Sequence, residues 1–174
     1  VQHKTGRSGE LLFVLVEHQF LNHDGLALVE EHDIVYRAAA RPGDPVPPPQ
    51  QPPLAGQAAW SRSIVPDDVL LFRYSALTFN GHRIHYDRRY VTQIEGYPGL
   101  IVHGPLIATL LLDLLRRQLP GARVVAFDFK ALRPTFDLHP FSVHGKPRED
   151  GRTIDLWAQD HEGLLTMQAT ATVA

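Results

Sequence analysis

The 174-residue chain is 44% hydrophobic, with a formal net charge of −2 and a mean hydropathy of −0.16, which suits one domain or slightly more. The small net charge gives no reason to expect nucleic acid as a partner. The sequence has no cysteine, which excludes disulfides, thiolate metal sites and a cysteine nucleophile, and a cytoplasmic location is the default expectation. The longest apolar stretch, Leu106 to Leu115, is too short to span a bilayer, so no membrane partner is expected.

The first part of the chain predicts a β-hairpin followed by a connector. Glu10 to Glu17 and Leu26 to Tyr36 are apolar strand candidates, joined by the turn His23-Asp24-Gly25. An isolated pair of strands is marginal in water, so the hairpin should pack against something else. Arg41 to Gly56 holds seven of the fourteen prolines and is predicted to be an extended linker.

From Ser63 onward the pattern predicts a complete small domain. One long apolar helix should run from Pro105 to Leu119, buried nearly all round and ended by Pro120-Gly121. Arg88 to Glu95 should be a short helix or loop. The predicted strands are Val69–Thr78, Arg123–Ala131, Phe141–Pro147, Thr153–Gln159 and Leu164–Val173. A helix followed by an antiparallel meander is an α+β pattern, and we expect the hot-dog fold, a curved antiparallel sheet wrapped around a central helix.

The start of the long helix is a candidate for binding a carbonyl oxygen. Pro105 suits the first helical position, and Gly104 before it lets another group approach the backbone. The first N–H groups of a helix lack internal partners and carry partial positive charge, so they can polarise a thioester oxygen. Taken alone, Gly104-Pro105 is also explained as a simple helix-entry turn.

A polar loop before this helix contains a candidate base. His85 has an ordinary pKa near about 6.5 and could take a proton from water at neutral pH. A single histidine is more often structural, but His85 is accompanied by Asn80, by Asp87 and by the His103-Gly104-Pro105 step. His82 and His85 lack a distant ligand cluster, so no metal site is predicted. Ser75 and Thr78 lie outside a nucleophile elbow and are interpreted as strand residues.

The block from Phe72 to Asp87, Phe-Arg-Tyr-Ser-Ala-Leu-Thr-Phe-Asn-Gly-His-Arg-Ile-His-Tyr-Asp, together with His103-Gly104, resembles the MaoC-like (R)-specific enoyl-CoA hydratases. The residues of this block are most similar to those of the itaconyl-CoA and mesaconyl-CoA hydratase branch, whose members carry two hot-dog units in tandem. The resemblance implies closing strands of a partial first unit in residues 1–40, a Pro-rich linker in 41–60 and a complete second unit in 61–174. Because the first unit would lack its helix, we expect a homodimer or higher homo-oligomer.

The resemblance implies reversible addition of water to a 2-enoyl-CoA, with coenzyme A entering as part of the substrate and no separate cofactor. His85, Asn80 and Gly104 would be catalytic, as base, water-orienting group and oxyanion-hole donor. The family has an aspartate where this chain has Asn80, which predicts either a weakened site or a carboxylated substrate that an aspartate would repel.

The implied substrate-binding residues are two arginines and two histidines. Arg83 or Arg73 could pair with a substrate carboxylate in a fork geometry. His103 would shape the oxyanion hole, and His82 is the fourth residue expected to bind substrate. Two alternatives stay open. One is a hot-dog acyl-CoA thioesterase, which Asp113 is poorly placed to serve, and the other is a catalytically impaired acyl-CoA-binding subunit.

Overall fold

The computed structural model describes residues 1–6, 9–37, 48–52 and 56–174. The chain divides into two compact units, Val1–Pro47 and Pro48–Ala174. Within the described ranges, no helix has both the length and the apolar character needed to cross a bilayer. Half of the predicted Pro-rich linker 41–60, namely residues 41–47 and 53–55, lies outside the described residues, so the three-part division of the chain stays a prediction.

The first unit is a three-stranded antiparallel sheet in the order β1-β2-β3, formed by β1 (Gln2–Gly6), β2 (Gly9–Asn22) and β3 (Gly25–Arg37). The predicted hairpin is therefore confirmed, with longer strands, while β1 was not predicted. Gly25 has a φ of 112° in the turn, a conformation that favours glycine. Exposed apolar side chains in this sheet include Leu15, Phe20, Leu21, Leu26, Leu28, Val29, Val35 and Tyr36.

The second unit is built on a five-stranded antiparallel sheet in the order β4-β6-β7-β8-β5. Its strands are β4 (Trp60–Ile64), β5 (Val124–Ala131), β6 (Phe141–Pro147), β7 (Thr153–Gln159) and β8 (Leu165–Val173). Its helices are α1 (Asp68–Leu77), α2 (Arg88–Gln93) and α3 (Gly104–Gln118), with a 3-10 turn at Arg83–His85. Four of these strands and α3 confirm the sequence predictions to within a residue or so.

Helix α3 lies against β4, β6 and β7 and supplies much of the core. Its buried face consists of Leu106, Ile107, Ala108, Leu111, Leu114 and Leu115. The prediction that α3 is buried nearly all round is wrong, because the sheet of this unit covers one side only. Thr109 is exposed, and Leu110 and Leu112 are half-buried.

The segment Val69–Thr78, predicted as a strand, is helix α1. Asp67 caps it, because its Oδ1 accepts a hydrogen bond from the Leu70 N–H at 2.7 Å, as N-terminal capping side chains do. Leu71 and Ser75, four positions apart, are its buried residues, which is the helical spacing. The apolar and aromatic composition of this segment favours a strand, so the prediction was wrong. Strand β4, which was not predicted, lies just before α1 in the chain.

Candidate active site at the start of helix α3

The 3-10 turn that carries His85 is fastened to the chain just before α3 by one residue. The Ile101 N–H donates to the Ile84 carbonyl at 3.0 Å, and the Ile101 carbonyl accepts from His85 Nδ1 at 2.7 Å. The same segment is held from its other side, since the Val102 N–H donates to the Thr135 carbonyl at 2.8 Å. These backbone bonds bring the polar loop and the start of α3 together.

The carbonyl partner of His85 decides which ring nitrogen carries the proton. Because a carbonyl oxygen only accepts, neutral His85 has its hydrogen on Nδ1 and a lone pair on Nε2. Within the described chain, Nε2 has no hydrogen-bond partner, and it is not among the polar atoms sealed from solvent. Burial lowers the pKa of His85 below its ordinary value. The imidazole is thus neutral at neutral pH, with its basic nitrogen free.

The ring of His103 is the surface against which His85 packs. The two imidazoles are stacked, with centroids 3.8 Å apart and planes 17° from parallel. His103 Nε2 lies 2.8 Å from Ser75 Oγ, and the Tyr74 ring meets His103 edge-on at 4.9 Å. Burial first, and the neighbouring charge of His85 second, lower the pKa of His103 to about 4. His103 is therefore neutral at neutral pH, like His85.

Asn80 uses its side-chain oxygen to shape the loop. Its Oδ1 accepts from the His82 N–H at 3.0 Å, and its own N–H donates to the Ser75 carbonyl at 2.9 Å. A backbone N–H needs an acceptor, so the oxygen, not the amide nitrogen, must face His82. Within the described chain, Nδ2 has no partner. The free group of Asn80 is a donor, whereas the sequence-based hypothesis had a water held by its carbonyl.

Arg83 already has a partner for its fork. Its Nε and Nη2 donate to Asp87 Oδ2 at 3.1 and 2.8 Å, and its guanidinium lies 4.2 Å from the centroid of the Tyr90 ring. Asp87 also caps α2 through the Tyr90 N–H. Arg83 would have to leave this arrangement to bind a substrate carboxylate in the way that was predicted.

Of the other predicted substrate-binding residues, His82 lies near His85 and Arg73 does not. His82 is exposed, and its ring meets the His85 ring edge-on at 5.6 Å. Arg73 is exposed on α1, and no hydrogen bond or ring contact within the described chain joins it to the histidines. The structure therefore brings His82, His85, His103 and Asn80 together and leaves Arg73 outside the group.

Gly104 opens α3 beside a cavity of about 300 Å³. A Cβ placed on Gly104 would meet only Met167 Cε, at 3.9 Å, so a ligand atom has room to approach the backbone there. Free N–H groups at a helix start attract negative charge. The cavity is lined by Ile101, Val102, Gly104, Ile107, Ala131, Leu132, Arg133, Pro134, Thr135, Thr166 and Met167.

Sequence reasoning missed Ser75, which is 5% exposed and is the hydrogen-bond partner of His103. The signal that could have found it is its helical spacing from Leu71. Asp113, the acid that the thioesterase alternative needed, is held by Arg62 at 2.6 Å and by Arg117 at 2.8 Å. Among the described residues, no group of three or more histidine, aspartate or glutamate side chains could hold a metal ion.

Residues 2–137 match the family of hydroxyacyl-thioester dehydratase type 2. The chain belongs to this family. It is 49% identical over 173 residues to mesaconyl-C(4)-CoA hydratase from Chloroflexus aurantiacus, a match that covers 98% of this chain and 59% of that protein. The chain therefore spans about three fifths of the length of this relative, and the family resemblance drawn from the motif is confirmed.

Solved structures confirm the hot-dog fold. The (R)-hydratase of A. caviae involved in PHA biosynthesis has a TM-score of 0.59 at 23% identity, covering 66% of this chain and 91% of that one. A MaoC-like dehydratase from Phytophthora capsici has a TM-score of 0.73 at 16% identity, covering 99% of this chain and 61% of that one. At such identities the likeness concerns the fold alone.

Proposed function

We propose that this chain adds water reversibly to a 2-enoyl-CoA, with a preference for a carboxylated acyl group such as mesaconyl-CoA or itaconyl-CoA. The observation that carries the proposal is the hydrogen bond from His85 Nδ1 to the Ile101 carbonyl. It leaves Nε2 as a free base near an uncluttered helix start at Gly104. The identity to a mesaconyl-C(4)-CoA hydratase supports the substrate class.

In the proposed reaction, His85 Nε2 removes a proton from water while the water oxygen forms a bond to the β-carbon. The electron pair of the double bond moves towards the thioester, and its oxygen gains negative charge that the N–H of Gly104 stabilises. The proton on Nε2 is then delivered to the α-carbon, which completes the addition of H and OH. The reverse sequence removes water, and coenzyme A enters only as part of the substrate.

His103 would keep His85 in place without competing for the proton. Its ring is stacked on His85 and holds a pKa of about 4. When His85 becomes positive during the reaction, a second positive ring at stacking distance would be strongly unfavourable. A neutral His103 avoids that repulsion, so His103 is proposed as a positioning residue.

Asn80 would favour a carboxylated substrate because its free group is an amide N–H donor. A mesaconyl thioester keeps a free carboxylate close to the reacting carbons, and an aspartate at position 80 would repel it. The amide can instead donate to a carboxylate oxygen or to the water. The pattern thus fits an acidic acyl group better than a simple alkenoyl chain.

The first test replaces the base. His85→Gln should lower kcat by about 10²–10⁴-fold, the usual contribution of a general acid–base group, measured as loss of enoyl absorbance with mesaconyl-, itaconyl- and crotonyl-CoA. His161→Gln, at an exposed histidine, is the control and should leave the rate unchanged. A full rate in His85→Gln would show that His85 is not the base, and no rate in the parent would instead support the non-catalytic acyl-CoA-binding alternative.

The second test addresses substrate selectivity through Asn80→Asp. The new carboxylate keeps an oxygen for the His82 N–H, so the loop should persist and only the amide NH2 is exchanged for a negative oxygen. Turnover of mesaconyl-CoA should fall while turnover of crotonyl-CoA holds or rises. Unchanged mesaconyl-CoA turnover with no benefit to crotonyl-CoA would remove the proposed role of Asn80.

A homo-oligomeric state and a cytoplasmic location stay predictions.

A further inference from the structure

The cavity at Gly104 has a mostly apolar lining with one charged side chain. Among its lining residues, Arg133 is the only one with a charged side chain. Thr135 and Thr166 also line it, are 3% and 1% exposed, and have hydroxyl oxygens without a hydrogen-bond partner in the described chain. The remaining lining residues are apolar apart from the Gly104 backbone. Because both hydroxyl oxygens are sealed from solvent, they are not offered to a ligand, and Arg133 is left as the charged group of an otherwise apolar lining. Such a lining suits a carbon chain that ends in an acidic group.

We propose that Arg133 binds the free carboxylate of a dicarboxylic acyl thioester whose thioester oxygen lies at Gly104. This inference rests on the proposed function and deepens it, because it names a residue, besides Asn80, that would favour a carboxylated substrate by binding its carboxylate directly. Both anchor points border the same cavity of about 300 Å³. A planar guanidinium matches a carboxylate through two parallel N–H···O bonds.

Arg133 has donors to spare. The one hydrogen bond that its side chain makes within the described chain runs from Nη1 to Asp160 Oδ2 at 3.4 Å, a long distance for such a bond. Its Nε and Nη2 have no partner in the same part of the chain. Asp160 reduces the net positive charge at the site, but it leaves the fork itself available to a carboxylate.

The two arginines predicted from the sequence are less suited to this role. The fork of Arg83 is taken by Asp87, and its face is covered by Tyr90. Arg73 is exposed on α1 and does not line the cavity. Arg133 follows β5 in the chain and lines the cavity together with Gly104, and it also lines a neighbouring cavity together with Asp160.

The test compares Arg133→Gln and Arg133→Lys with the parent, using Arg123→Gln as a control at an exposed arginine near the start of β5. For mesaconyl-C(4)-CoA, Arg133→Gln should lower kcat/KM by about 10–150-fold, the loss expected for a charged hydrogen bond, mainly through KM. Crotonyl-CoA should change by less than about 3-fold. Arg133→Lys should recover part of the loss. Equal effects on both substrates, or no effect, would overturn the inference.

A binding measurement separates this inference from the proposed reaction. Succinyl-CoA and butyryl-CoA carry no double bond to hydrate, and they differ in the terminal carboxylate. Calorimetry should show that the parent prefers succinyl-CoA and that Arg133→Gln loses this preference, whether or not the chain has hydratase activity. A preference that survives in Arg133→Gln rejects the role of Arg133, even if the hydratase tests succeed.

Discussion

Replacing Ser75 by alanine tests whether the histidine stack depends on a single buried hydroxyl. Ser75 is 5% exposed, and its Oγ lies 2.8 Å from His103 Nε2. His103 is 1% exposed, and its other ring nitrogen, Nδ1, already lacks a partner within the described chain. Ser75→Ala would therefore leave a buried imidazole with no hydrogen bond at all.

The expected loss of stability follows from the cost of an unsatisfied buried polar group. That cost is about 1–3 kcal/mol, and the better helix propensity of alanine within α1 offsets at most about 0.7 kcal/mol of it. The net loss is roughly 0.3–2.3 kcal/mol. With a urea m-value of about 2 kcal/mol/M, the unfolding midpoint should fall by roughly 0.2–1.2 M.

Tryptophan fluorescence is a suitable readout because both tryptophans, Trp60 and Trp157, lie in the second unit. Thr78→Ala is the matched control. It removes an exposed hydroxyl, just after α1, that donates to the Tyr74 carbonyl in that helix, and it should stay within about 0.5 kcal/mol of the parent. Equal midpoints for Ser75→Ala and the parent would refute the structural role of this hydrogen bond.

Three further outcomes are expected. His103 has a pKa of about 4 in the folded chain, against an ordinary value of 6.5 that applies in the unfolded chain. As pH falls, His103 is therefore protonated in the unfolded chain before it is protonated in the folded one. Stability present above pH 6.5 should therefore decrease by about 3 kcal/mol towards pH 4, and His103→Gln should flatten the urea midpoint across that range. Leu111→Ala, at 0% exposure, should cost about 2–5 kcal/mol in urea unfolding, whereas Leu77→Ala, at 87% exposure, should cost less than about 0.5 kcal/mol. Arg88→Gln should lower the same free energy by about 1.5–3 kcal/mol, because the Asp137 carboxylate, 3% exposed, loses its ion pair.

Local pattern was enough to predict most of the secondary structure. The hairpin of β2 and β3 is visible because apolar runs flank a glycine turn, and α3 because Pro105 and Pro120 bracket a leucine-rich stretch. Such signals depend on residues close in sequence, so no tertiary information is needed. Helix α1 was misread for the same reason, since its composition favours a strand while its cap at Asp67 and its buried side favour a helix.

The sequence by itself determined the fold class, through hydrophobic periodicity, and the family, through the resemblance of one motif. It also named His85 and Gly104 as candidate site residues. Only the tertiary structure decided how the site is arranged. The proton position on His85 depends on the Ile101 carbonyl, and the neutral state of His103 depends on burial against Ser75 and His85. Arg133 and Gly104, 29 positions apart in the sequence, line the same cavity. These relations join residues far apart along the chain, so the spacing of residue types could not reveal them.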